Sequence, residues 1–175
     1  MFMAQIPRLV LASTSPKRRQ LLRKAGYDLI IVGPAADEDS IEPQGIEPQD
    51  YAMRLALAKA KSVAPQYPDK LVIGADTVVD CQSRIIGKPA DAAEARDMLK
   101  LLFSRPHRVI TGIAIVCTEK NIEITDSNIT TIYPKPMTDK QLDEYIKSGN
   151  WQGKSGAYGI KPECDPFIER TEGSI

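Results

Sequence analysis

The segment Arg8-Leu-Val-Leu-Ala-Ser13 is apolar at four consecutive positions and is followed almost at once by Ser15-Pro16. A short continuous apolar run is the pattern of a strand buried on both faces. Serine followed by proline is a helix start, with serine as N-cap and proline in the first helical position. A buried strand that turns directly into a helix commits the chain to helices layered on a sheet. The rest of the pattern agrees, because apolar runs alternate with helical periodicities, which favours an α/β domain over a bundle or a sandwich.

The first helix is expected to end near Gly26, and Leu29-Ile-Ile-Val32 reads as a second strand. The acidic, proline-containing stretch 34–48 reads as a loop of the length that functional loops have. From Gln49 to about Ala64, the residues Ala52, Leu55, Ala56, Lys59, Ala60 and Val63 fall on one helical stripe, on which Lys59 is the misfit. Leu71-Val-Ile73 and Thr77-Val-Val79 read as two short strands around Gly74-Ala-Asp76, and Ile85-Ile86 leads to Gly87-Lys88-Pro89. Asp91 and Glu94 form a capping-box pattern for a helix that carries Ala95, Met98, Leu99 and Leu102 inward. Residues 109–117 and 122–133 read as strands joined by a turn at 118–121. Thr138 and Gln141 are a second capping-box pattern, with Leu142, Tyr145 and Ile146 on one face and Gly149 at the end. The stretch 149–175 is rich in glycine and charge. Without repeats or linkers, residues 1–175 read as a single domain, and 42% hydrophobic residues are enough to bury a full core.

Charge narrows the function. Lys and Arg number 23 and Asp and Glu 23, so no global positive field draws the chain to a nucleic-acid backbone or an anionic membrane, and any attraction for an anion is local. No apolar stretch approaches the roughly 20 residues of a membrane-spanning helix, and residues 1–7 lack a basic segment followed by an apolar run, so a cytoplasmic protein is expected. Cys81, Cys117 and Cys164 are an odd number without CxxC spacing, and His107 is the only histidine. That argues against a zinc site or a disulfide framework. A histidine-dependent hydrolase would have to use His107, whose neighbours from Arg105 to Val109 contain no nucleophile motif.

The segment Ser13-Thr-Ser-Pro-Lys-Arg-Arg19 places hydroxyls and cations at a strand-to-helix turn, where N–H groups and the positive end of the helix dipole gather. Lys17, Arg18 and Arg19 oppose that dipole unless an anion compensates, which favours a phosphate cradle over a merely capped helix with a solvated basic turn. No GxxxxGK[ST] is present, so it is not a P-loop. Asp76, at the end of an apolar run, can hold a metal ion or orient a water; otherwise it is a turn aspartate. Gly74 stands where an aspartyl-phosphate phosphatase would carry its nucleophile. Lys59 and Lys88 are isolated lysines that either face an anion or snorkel to solvent. Asp37-Glu38 offers loop carboxylates of the kind a magnesium site shares with substrate phosphates.

Taken in order, Ser13-x-Ser15-Pro16-x-Arg18, Asp37-Glu38, Arg54-Leu-Ala56 with Lys59-Ala60, Gly74-Ala-Asp-Thr77, Gly87-Lys-Pro89, Glu94-Ala95 with Met98-Leu99, His107-x-Val109-x-Thr111-Gly112 and Lys154-x-Gly-Ala-Tyr-Gly-Ile160 resemble the signature of the Maf family of nucleoside triphosphate pyrophosphatases. The resemblance spans residues 9–160. It implies a mixed, twisted sheet flanked by helices around a deep nucleotide-binding cleft, and hydrolysis between the α and β phosphates with a divalent metal, Mg or Mn. Ser13, Ser15, Lys17, Arg18, Lys59, Thr77, Lys88 and Lys161 are then substrate-binding, Glu38 and Asp76 hold the metal, and Asp76 is catalytic, orienting or deprotonating the attacking water.

Lys17 stands where the family has a first arginine, keeping the charge but not the planar fork. Lys161-Pro162 replaces the usual Gln-Gly, and the chain stops at Glu172-Gly-Ser-Ile175, where members continue through a Gly-Leu-Pro segment into a closing helix. Thr77 resembles members acting on dTTP and UTP, and Lys161, which offers only donors, suits pyrimidine carbonyls and disfavours a cationic methylated guanine. The expected partner is a nucleoside triphosphate, with a homodimer left open and a role in nucleotide-pool cleansing or cell-division control. A nucleotide-binding regulatory protein without turnover and a metal-dependent phosphomonoesterase are the competing readings.

Overall fold

A computed structural model describes residues 8–159 and 166–173. Its strands are β1 (Leu9–Ala12), β2 (Leu29–Val32), β3 (Val72–Cys81), β4 (Arg84–Ile86), β5 (His107–Cys117), β6 (Ile122–Pro134) and β7 (Ile168–Glu172). Its helices are α1 (Pro16–Lys24), α2 (Pro48–Val63), α3 (Ala92–Leu102) and α4 (Asp139–Lys147). The strands hydrogen-bond in the order β2-β1-β3-β5-β6-β7, with β4 on β3. β1 runs parallel to β2 and β3, whereas β4 and β7 are antiparallel to β3 and β6, so the sheet is mixed and the fold α/β. None of these helices is long and apolar enough to cross a membrane. The described residues form two compact units, one within Met1–Asp76 with Gly112–Ser127 and the other within Thr77–Thr111 with Asn128–Ile175, and β3, β5 and β6 each run from one into the other.

In the first unit, parallel pairing of β1 buries it completely, and every residue from Leu9 to Ala12 is buried. Alternation along the strands sorts the side chains. Val10, Ala12 and Val72 pack with Ala56, Ala60 and Val63 of α2, while Leu9, Leu11 and Leu29 pack with Leu22 of α1. Helix α2 approaches the strands backbone to backbone. A Cβ on Gly74 would lie 2.1 Å from the Ala56 carbonyl oxygen, and one on Gly112 2.3 Å from that of Ala52. Glycine is therefore required at both positions by space. Register does the rest: Ala12 is the last β1 residue paired with β3, opposite Gly74, so Asp76 lies two residues beyond that pairing, beside the turn into α1.

In the second unit, Val79, Cys81, Leu99, Leu102, Phe103, Leu142 and Tyr158 form the core, with Phe103 edge-on to Tyr158 at 5.3 Å between ring centroids. Arg96 on α3 pairs with Asp139 at 2.9 Å and also with Asp143, both on α4.

Several local expectations are revised. The two short strands around Gly74-Ala-Asp76 are one strand, so Asp76 lies inside β3 and not at a turn. Asp91 caps α3 through the Glu94 N–H at 2.8 Å, but the Glu94 carboxylate accepts from the Ala90 N–H, one residue outside the reciprocal box. β3 turns into β4 through Gln82 and Ser83, both at positive φ, a hairpin turn made without the glycine or asparagine that would have announced it. β7 falls in the stretch read only as rich in glycine and charge. The Thr138–Gln141 capping box is formed as expected.

Candidate active site

The turn after β1 is built by its own serines. Ser13 Oγ accepts from the Ser15 N–H at 3.1 Å, and Ser15 Oγ caps α1 by accepting from the Arg18 N–H at 3.5 Å. Ser13 is buried, and in these two bonds each hydroxyl is the acceptor, a role that does not use its own proton. Lys17 and Arg19 are exposed on the first turn of α1, whereas Arg18 is half-buried. Burial pulls the Arg18 guanidinium below its ordinary range, and the charges of Asp76 and Glu38 push the other way. Those carboxylates are therefore close enough to act on it.

Lys59 is the centre of the cluster. It projects from the buried stripe of α2 and is only 7% exposed. Its Nζ lies 3.0 Å from Glu38 Oε2 and forms a short contact with Asp76 Oδ1. A lysine on a buried stripe would be costly without partners; two carboxylates satisfy it, and it holds them around one point. Arg18, Lys59, Glu38 and Asp76 make two cations and two anions, so the cluster is balanced before any ligand arrives. The helix that creates this site and the strand that carries Asp76 meet because Gly74, two residues earlier, lets α2 touch β3.

Among the described residues no group of three or more His, Cys, Asp and Glu side chains is placed to hold a metal. Glu38 and Asp76 are instead a pair of hard oxygen donors already focused on a cation, the Lys59 ammonium. Such a pair fits magnesium or manganese, which take one or two carboxylates and complete their shell with phosphate oxygens and water.

In the second unit, Thr77 Oγ1 lies 3.1 Å from Thr111 Oγ1, and Ser155 Oγ donates to the Thr77 carbonyl at 3.2 Å. Lys88 is exposed on the segment between β4 and α3. Lys161 lies outside the described residues. The buried Asp80 pairs with the partly exposed Arg108, a contact that sequence reasoning missed: Asp80 Oδ2 accepts from Arg108 Nε and Nη2, each at 2.7 Å, while Asp80 Oδ1 is buried without a hydrogen-bond partner among the described residues. Thr111 stands in the sequence only as a member of a motif, and Ser155 only at the unspecified position of another. The partners of all four are far along the chain, and only folding shows the pairings.

The family model described as Maf-like protein matches residues 8–175. A dTTP/UTP pyrophosphatase from Geotalea uraniireducens is 40% identical over 95% of this chain and 84% of its own. Proteins of the same description from Symbiobacterium thermophilum and Bacillus cereus are 38% and 39% identical, over 94% and 95% of this chain and 83% and 80% of theirs. Among solved structures, a HAM1 protein from Coxiella burnetii superposes with a TM-score of 0.50 at 18% identity, covering 91% of this chain and 87% of the other, a likeness of fold.

Proposed function

The chain belongs to the Maf family, and we propose that it is a cytoplasmic nucleoside triphosphate pyrophosphatase that prefers dTTP and UTP and needs a divalent cation. The observation that carries the reading is the convergence of Glu38 and Asp76 on Lys59 beside Arg18, in a chain 38–40% identical to the dTTP/UTP pyrophosphatases named above. Water attacks the α phosphorus, the bond to the bridging oxygen breaks, and pyrophosphate leaves with that oxygen. No protein nucleophile is needed.

The triphosphate carries about four negative charges, which repel an attacking oxygen unless cations offset them. Arg18 offers a planar fork to phosphate oxygens, Ser13 and Ser15 donate their hydroxyl protons, and Lys17 and Lys88 add positive charge. Lys59 keeps the two carboxylates together and presents its ammonium to phosphate. Magnesium or manganese, held by Glu38 and Asp76, would draw charge from phosphate oxygens. Asp76 orients the water and takes its proton. Thr77 and Lys161 read the base, with Lys161 donating to a pyrimidine carbonyl.

Product identity tests the proposal. With magnesium present, dTTP and UTP should yield the monophosphate and pyrophosphate faster than CTP or 7-methyl-GTP does. Release of orthophosphate would make the protein a phosphomonoesterase, and tight binding without any product would make it a regulatory nucleotide-binding protein. A preference for 7-methyl-GTP would overturn the assignment of the base.

A further inference from the structure

The loop between β2 and α2 carries Glu38, and two contacts fasten it to the last turn of α2. The Ala35 N–H donates to Ser62 Oγ at 3.2 Å, and Glu38 Oε2 pairs with Lys59 Nζ at 3.0 Å. The Ser62 proton is itself committed to the Lys59 carbonyl oxygen at 2.9 Å, which fixes the hydroxyl and leaves its lone pairs to accept from Ala35. Between Ala35 and Glu38 the chain is stiffened by the Glu38 N–H on the Ala36 carbonyl, and beyond them by the Ser40 hydroxyl on the Asp37 carbonyl and the Ile41 N–H on the Glu38 carbonyl. The position of Ala35 is therefore passed on to Glu38.

The two fastenings respond differently to a ligand. A divalent cation on Glu38 or a phosphate on Lys59 competes with the ion pair. Neither competes with the neutral hydrogen bond from Ala35 to Ser62. We propose that Ser62 is a positioning residue, holding the loop so that Glu38 stays in place when Lys59 turns to substrate, and thereby setting how tightly the site takes up its cation. This rests on the reading of Glu38 as a metal-holding carboxylate.

Ser62→Ala deletes the acceptor, whereas Ser62→Thr keeps it. In Ser62→Ala the magnesium concentration for half-maximal dTTP hydrolysis should rise about three- to tenfold, the span that one neutral hydrogen bond is worth. Turnover at saturating magnesium should stay near the parental value. Without metal or nucleotide, the backbone amides of residues 35–41 should exchange faster in Ser62→Ala by a similar factor, and Ser62→Thr should restore both quantities. Parental magnesium dependence with parental exchange in Ser62→Ala would overturn the proposal, as would a turnover loss that saturating magnesium does not relieve. A parent chain that releases no pyrophosphate overturns the functional reading instead. The tie is then decided by exchange alone, which supports it if accelerated and overturns it if unchanged.

Discussion

Lys59 was visible as a misfit in the sequence because a cation interrupts an otherwise apolar stripe, but its reason lies in Glu38 and Asp76, 21 and 17 residues away on either side. Asp76 is the residue whose chemistry is most separable from its structural part. Asp76→Asn keeps an oxygen that can accept from Lys59 and removes only the charge, so the fold and nucleotide binding should persist while turnover falls about 10²- to 10⁴-fold; steady-state pyrophosphate release beside a nucleotide-binding titration checks this. His107 makes a different kind of prediction. It is 3% exposed, its Nδ1 faces the Arg105 carbonyl at 3.2 Å and so carries the proton, and Nε2 accepts from the Tyr158 hydroxyl. Burial pulls its pKa below the ordinary histidine value, outweighing the backbone hydrogen bonds that raise it. Between the lowered folded value and the unfolded value of about 6.5, the unfolded chain binds more protons, so this contribution to stability is present above about pH 6.5 and is lost as the pH falls below it. The melting temperature of the parent should accordingly approach that of His107→Gln as the pH is lowered from 7.5 to 5.5, with the carboxylates common to both cancelling in the comparison.

Helix α2 does most to place the site, and it can do so only because small residues face it. Alanines at 52, 56 and 60 lie against Gly74 and Gly112, and an added Cβ would meet main-chain atoms that cannot rotate away. Gly74→Ala should destabilise the protein by about 3 kcal/mol or more, at the upper end of what overpacking costs, read from the midpoint of denaturant unfolding. At α4, whose capping box lies on the surface, Thr138→Ala should cost only about 1 kcal/mol in the same assay. The helices were legible with their boundaries nearly in place, because capping and 3.6-residue periodicity are local. β3 was legible only in halves: Gly74 and Asp76 carry weak strand propensity, and the pairing with β1 through Gly74 overrides it. The Gln82-Ser83 turn escaped notice because the β3–β4 pairing holds it where residue preference does not.

At the scale of the whole molecule, the two compact units have separate apolar cores, and all the residues gathered on Lys59 belong to one of them. Acidic and basic residues balance across the chain, so affinity for a polyanion has to come from a few local cations. At about 0.15 M salt, a DNA duplex should show no mobility shift at micromolar protein while dTTP still binds with magnesium; a shift that weakens steeply with added salt would contradict a purely local charge arrangement.

By itself the sequence determined the alternation of strand and helix, the caps, the buried stripe of α2 and the ordered motifs that mark the family, because each is written in residues close together in the chain. It also singled out Ser13, Arg18, Glu38, Lys59 and Asp76 by chemical type. Only the tertiary structure decided that the last four share one balanced cluster, that Asp76 sits inside a strand two residues past its pairing with β1, and that Asp80 and Ser62 have the partners they do. Those outcomes depend on pairing register and on backbone-to-backbone contact between α2 and the sheet, which bring together residues that no local pattern relates.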